Sequence, residues 1–231
     1  MYLYETHCHT SPVSKCAAAS VREMLLMYKS LGFAGVFITN HFIDGNINID
    51  KTLPYEDKIR FYFSDYEEGL RVGREIGLPV FLGVELSYKG TDFLVFGLDK
   101  DWFLAHPEIE DMKKSDELRF MLSEGALIIQ AHPFREANYI DHIRLFPRLV
   151  HGVEICNAAR NDFENGMAKT YADSYGLLHF AGSDAHGIAR KRLAGICTDS
   201  PILNEADFIE RVKNGKTEIF SKNITESDYA N

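Results

Sequence analysis

Cysteine is scarce: the 231 residues hold only Cys8, Cys16, Cys156 and Cys197, and no two of them form a Cys-x-x-Cys pair. That excludes a disulfide framework and a cysteine-rich structural zinc module, and it fits reduced thiols in a cytoplasmic protein. Positive charge is outnumbered, 25 Lys and Arg against 34 Asp and Glu, for a net charge of −9. No strong nucleic-acid binding is therefore expected, although a local basic pocket stays open. No apolar stretch approaches the length of a transmembrane helix, so no membrane partner is expected. The first residues lack the basic segment and apolar run of a secretory signal. Internal repeats, low-complexity tracts and an obvious linker are also missing, and residues 1–231 read as one domain with ample length for a core.

Histidine is plentiful, at 9 residues, and its placement is informative. Residues 2–10 read as a short strand running into His7 and His9. Side chains alternate faces along a strand, so these two imidazoles project from the same side and form half of a transition-metal site. Further apolar runs end in comparable residues. Residues 34–39 lead to Asn40 and His41, 80–86 contain Glu85, 126–131 lead to His132, 152–156 contain Glu154, and 177–181 lead to Asp184 and His186. Residues 91–98 read as a strand, with a possible hairpin turn at Lys89-Gly90, and 218–220 as a closing strand.

Helices are expected between these runs, over 21–31 with Ser20 as N-cap, 55–76, 115–124, 162–175 and 204–213. Residues 42–53 read as a loop overhanging whatever His41 faces, and the tail from Thr225 is expected to fray. Alternating buried strands and helices imply a parallel sheet, and the length favours a closed barrel with its chemistry at the strand exits.

His7-x-His9-Thr10, Thr39-Asn40-His41, Gly83-Val84-Glu85, Ala131-His132-Pro133 and Gly182-Ser183-Asp184-Ala185-His186 occur in the order of the motifs of the PHP (polymerase and histidinol phosphatase) superfamily. The chain resembles that superfamily over nearly its whole length. The resemblance implies a single PHP domain, an α/β fold built as a distorted (β/α)7 TIM-like barrel, two or three divalent metal ions (zinc, manganese or iron) and phosphoesterase activity. Carried over by motif, the first metal takes His7, His9, Glu85 and Asp184. Glu85 bridges to a second metal that also takes His132, and His41 and His186 hold a third.

Two further ligands of relatives are missing here. Where several relatives place a histidine shortly after the His-x-His, this chain has Lys15 and Cys16, and Cys16 either ligates as a thiolate or merely lines the site. Where some relatives use a histidine after the fourth strand, the chain reads Gly97-Leu98-Asp99, leaving Asp99 or Glu154 to complete the second metal. The usual Thr-Asp-His is Thr-Asn-His, which removes one carboxylate.

Such a site suits phosphate ester cleavage, which needs a nucleophile at neutral pH and neutralisation of charge on the phosphoryl oxygens. Arginine forks match phosphate oxygens, and Arg135, Arg160, Arg190 and Arg192 all follow strand exits. Asp184 or a metal-bound water is the candidate proton donor to the leaving group. His106, His142, His151 and His179 carry the plain expectation of surface or core residues.

A metal-dependent hydrolase acting on a small phosphorylated substrate, a phosphomonoester such as histidinol phosphate, is the reading that follows. Alternatives are a nuclease or phosphodiesterase acting on nucleotides or short oligonucleotides, hydrolysis of a non-phosphate bond as in amidohydrolases, and a non-catalytic metal-binding regulatory domain.

Overall fold

The computed structural model describes residues 1–229. Its strands form two five-stranded sheets, and these do not close into one continuous barrel. In the first sheet β1 (Tyr2–Cys8) has β2 (Gly35–Ile38) parallel on one side, followed by β3 (Val80–Leu82). On its other side lie β9 (Arg192–Thr198) and then β10 (Glu218–Asn223), each antiparallel to its neighbour. The second sheet runs β4 (Val84–Tyr88), β5 (Thr91–Phe96), β6 (Leu127–Ala131), β7 (Gly152–Asn157), β8 (Leu178–Gly182). Within it β4, β5 and β6 pair antiparallel, whereas β6, β7 and β8 pair parallel.

The architecture is therefore α/β, and the expected (β/α)7 barrel is corrected to two mixed sheets. Two local causes are visible. The apolar run at 80–86 is not one strand: Gly83 divides it, so β3 belongs to the first sheet and β4 to the second. A side chain at Gly83 would lie 2.6 Å from Thr39 Cγ2 and 2.8 Å from Phe96, so only glycine lets the chain cross there. The second cause is Glu5, a fully buried carboxylate between β1 and β8. Its Oε1 accepts the backbone N–H groups of Thr6, His7 and Ser183, hydrogens that a continuous ladder would otherwise use. Isolated bridges at Cys8–Ala185 and His41–Glu85 link the sheets near the same end.

The helices form for ordinary reasons. In α1 (Val21–Ser30) Ser20 and Glu23 make a reciprocal capping box, and α2 (Tyr55–Ile76) stops at Gly77, whose φ of 68° is left-handed. The sequence does not foretell α3 (Lys100–Ala105), a short helix. Further along, α4 (Lys114–Ser123), α5 (Asp162–Tyr175) and α6 (Glu205–Lys213) fall within a residue of expectation. The Lys89-Gly90 turn, with φ of 52° and 81°, gives the β4–β5 hairpin. The tail expected to fray forms a 3-10 turn, Glu226–Tyr229; residues 230–231 lie outside the described residues.

Tyr4, Phe37, Phe81, Phe96, Phe180 and Phe208 form an aromatic cluster drawn from both sheets and α6. Tyr4, Phe37 and Phe180 precede His7, His41 and Asp184 along β1, β2 and β8, so the cluster floors the end where those residues emerge. Each buried ring stabilises the fold by about 1.5–3 kcal/mol relative to exposure. The aromatic side chains of Tyr55, Phe61, Tyr62, Phe63 and Tyr66 pack α2 onto a separate apolar cluster. Among the described residues no helix is long and apolar enough to cross a membrane.

Candidate metal centre

His7, His9, His41, Glu85, His132, Asp184 and His186 converge at one end of the two sheets. Their ligand atoms group as His7–His9–Asp184, His7–Glu85–His132 and His9–His41–His186, each group lying within 4.8 Å. Glu85 is central. Its Oε1 lies 3.0 Å from His7 Nε2 and 3.5 Å from His132 Nε2, and its Oε2 lies 2.7 Å from His41 Nδ1 and 3.4 Å from His9 Nε2. Asp184 Oδ1 lies 3.6 Å from His7 Nε2 and 3.4 Å from His9 Nε2. His132 and Asp184, each just past a strand end, have φ of 26° and 51°. A left-handed backbone at non-glycine residues is strained, and here it turns both side chains inward.

Whether these residues fit metal ions is answered by their unmet bonds. His7 Nε2, His9 Nε2, His41 Nδ1, His132 Nδ1 and both oxygens of Glu85 are buried without a well-formed hydrogen bond. The short His–Glu separations are thus contacts of charge rather than aligned hydrogen bonds. Buried polar atoms left unpaired are costly, and so many converging on one point fit a cation.

Neighbours set the tautomers in the same sense. Glu154 Oε1 accepts from His7 Nδ1 at 3.0 Å, Ser14 Oγ from His9 Nδ1 at 3.2 Å, and the Asp184 carbonyl from His186 Nδ1 at 2.9 Å. In the neutral ring each of these contacts takes the Nδ1 proton as a hydrogen bond and turns Nε2 towards the cluster. Ser14 is itself fixed, because its hydroxyl donates to Asn40 Oδ1 and accepts the His41 N–H.

Charge separation in the cluster is strong. Burial works against the charged form of every member, but Glu154, Glu85 and Asp184 outweigh it at His7 and raise its pKa well above the ordinary value. Burial likewise opposes ionisation of Glu85 and Asp184, yet the surrounding imidazoles hold both carboxyls well below their usual range. His9 behaves oppositely. Burial, with His41 and His186 beside it, lowers its pKa to about 3, so its ring is neutral and free to ligate.

Other expected residues are placed differently. Glu154 is not among the converging ligand atoms: Oε1 serves His7, and Oε2 accepts the His132 N–H at 3.1 Å and Asn157 Nδ2 at 2.7 Å. Asp99 is exposed and caps α3 by accepting the Trp102 N–H, away from the cluster. Asp92, for which no role is expected from the sequence, stands beside the cluster instead. It is buried on β5, with Oδ2 3.9 Å from His132 Nε2 and 3.5 Å from Arg135 Nη1. Its only sequence signal was a charge inside an apolar strand.

The cluster opens into a cavity of about 600 Å³ whose walls include Cys16, Asp92, Arg135, Arg160 and Arg190. Arg160 Nη2 lies 3.9 Å from Asp184 Oδ2, and its buried Nε has no well-formed hydrogen bond. Arg192, expected beside them, does not line the cavity. Its guanidinium donates to the carbonyls of Asn157, Ala158 and Arg160, so it braces the loop that carries Arg160. Residues 44–46 of the loop after His41 reach the cavity wall, and Gly45 approaches the His41 ring to within 3.4 Å of Nδ1 from an added Cβ. Of the remaining histidines, His106 packs at a tilt against Trp102 and His179 pairs with Asp173 at the surface.

The PHP_C family model, described as PHP-associated, matches residues 162–217. No curated protein matches the sequence. Among solved structures, a two-domain protein from Bacteroides vulgatus containing a predicted PHP-like metal-dependent phosphoesterase superposes with a TM-score of 0.70 at 14% identity. The alignment covers 95% of this chain and 64% of that one, so the chain spans just under two thirds of its length. PsfC from Pseudomonas syringae gives 0.63 at 16% identity, covering 99% of this chain and 93% of that one. The lesion-specific endonuclease PfuEndoQ from Pyrococcus furiosus gives 0.54 at 12% identity, covering 97% and 59%. The family match is confined to residues 162–217, and these solved structures, at 12% to 16% identity, share the fold.

Proposed function

We propose that this chain is a metal-dependent hydrolase that cleaves a phosphate ester, with a small phosphomonoester as its substrate. The observation that carries this reading is the set of unpaired imidazole and carboxylate atoms converging beside Arg135, Arg160 and Arg190. His7, His9, Glu85 and Asp184 would hold one divalent ion, Glu85 and His132 a second, and His41 and His186 a third. Such ions supply a nucleophile at neutral pH and neutralise charge on the phosphoryl oxygens. Zinc, manganese and iron all suit a mixed imidazole and carboxylate set.

The chain's own groups supply the rest. Glu154, Ser14 and the Asp184 carbonyl hold three imidazoles in the tautomer that ligates. Arg160, with its guanidinium directed at Asp184 and the cavity, is placed to pair with phosphoryl oxygens, and Arg135 and Arg190 add positive charge at the mouth. Arg192 positions Arg160 rather than touching substrate. A cavity of about 600 Å³ with a buried floor admits one terminal phosphate more readily than the middle of a long strand. Cleavage of a diester is the competing reading, and the fold shared with an endonuclease supports it.

Single substitutions His9→Ala and Asp184→Ala test the assignment. Each should lower bound metal and abolish phosphoesterase turnover while cooperative unfolding is retained. Full activity in either variant would remove the proposed first site.

A further inference from the structure

A second cavity adjoins the metal centre. Its volume is about 590 Å³, and its walls carry Phe42, Ile43, Tyr88, Ile109, Met112 and Phe146. Asp44 and Ser87 line both this cavity and the one that holds the cluster. The segments that supply His41 and Glu85 therefore continue into the shared wall. Side chains alternate along a strand, so Ser87 lies on the Glu85 face of β4, about 7 Å further along it. The Ser87 N–H donates to Asp44 Oδ1 at 3.1 Å and ties the two segments together. Gly45 lets the loop settle there, because a Cβ would lie 2.8 Å from Ser87 Oγ and 3.1 Å from His41 Cβ.

Charge separates the two cavities. Arg135, Arg160 and Arg190 line the first. In the second, buried Lys114 is held between Asp44 Oδ2 and Glu117 Oε2, each 2.5 Å from its Nζ. Lys113, also on that wall, is exposed, and Glu110 pairs with Lys58. The buried cation is thus already matched. An anion entering there would lose its water without gaining a partner.

We propose that the second cavity holds the alcohol half of the substrate, and that this half is an uncharged, apolar ring. The proposal rests on the phosphoester reading above and deepens it, because it names the class of leaving group. The phosphate lies beside the arginines of the first cavity, the ester oxygen at the Asp44–Ser87 wall, and the ring against Phe42, Tyr88 and Phe146. A volume of about 590 Å³ suits one ring or two fused rings. A second anionic group on the alcohol is disfavoured.

The experiment compares kcat/KM of the metal-restored full chain for phenyl, 2-naphthyl and 4-(carboxymethyl)phenyl phosphate, esters of phenols of similar acidity. Wild type should prefer the naphthyl to the phenyl ester, and the phenyl to the carboxylated ester, each by about tenfold or more. Met112→Trp and Ser115→Phe, which add bulk to the cavity from partly exposed positions, should each bring the naphthyl preference down to about one. The alcohol alone, 2-naphthol, should bind the metal-free chain by calorimetry and lose that binding in the same variants. Equal rates for naphthyl and phenyl esters, a naphthyl preference that survives in both folded variants, or no naphthol binding would overturn the cavity assignment alone. Faster cleavage of the carboxylated ester would overturn the uncharged class. No turnover of any ester with metal bound would overturn this assignment and the phosphoester reading together.

Discussion

Single atoms decide the state of the centre, and Glu154 is the clearest case. Its two oxygens accept from His7 Nδ1, the His132 N–H and Asn157 Nδ2, so it orients two proposed ligands without being one. Glu154→Gln keeps the shape but can present an N–H to His7, favouring the wrong tautomer. Metal affinity should fall about 10–100-fold by titration, the usual cost of losing such a partner. Gly182 is equally constrained. A side chain there would meet His7 Cβ at 2.4 Å and Glu154 Oε1 at 2.6 Å. Gly182→Ala should therefore cost about 1–3 kcal/mol in denaturant unfolding and weaken metal binding, because the crowded atoms belong to the site. Asn40, which stands where relatives carry aspartate, donates to Asp65 at 3.1 Å and accepts from Thr10 and Ser14. An aspartate there would face the Asp65 carboxylate, which explains the asparagine by its neighbour rather than by a metal.

Among the elements, the loop between β7 and α5 links scaffold to chemistry. Asn161 and Glu164 form the α5 capping box, and Arg192 grips the preceding carbonyls. Asn161→Ala should lower stability by about 1 kcal/mol. Arg192→Met should leave metal content unchanged and raise KM more than it lowers kcat, because Arg160 loses its support; unchanged kinetics would separate the two arginines. This level also shows what the sequence conceals. The helices were legible because apolar periodicity and caps are local, as at Ser20, Asn161 and Gly77. The converging histidines were legible because each sits in a short motif at the end of an apolar run. Gly83 was not legible as a sheet boundary, since its role depends on Thr39 and Phe96 approaching from elsewhere. β9 was missed because its Gly195 and its short side chains resemble a loop; added bulk at that glycine would strike the Tyr4 carbonyl at 2.1 Å. Asp92 and Arg192 were misjudged for the same reason, as their partners lie on other strands.

Taken as a whole, the molecule places its most charged cluster above an aromatic floor, and a second buried charge group lies nearby. Lys114 pairs with Asp44 and Glu117 at the wall of another cavity, of about 590 Å³. Burial, only partly offset by Lys114, raises the Glu117 pKa from 4.5 to about 7. The folded chain therefore binds this proton more tightly than the unfolded chain does. Its contribution is fully present below pH 4.5 and is lost as pH rises through 7. Glu117→Gln should remove a decline on the order of 2–3 kcal/mol across that window, seen by comparing unfolding curves of variant and wild type. Equal pH dependence in both proteins would locate the ionisation elsewhere.

Turnover of an aryl phosphate monoester beside the matching diester tests the proposed metal-dependent phosphoester cleavage at the converging cluster most directly. The full chain would be stripped with chelator and then restored with zinc or manganese. No cleavage is expected after stripping, with recovery on adding metal and faster turnover of the monoester. Metal bound in full with neither ester cleaved would contradict the proposed cleavage.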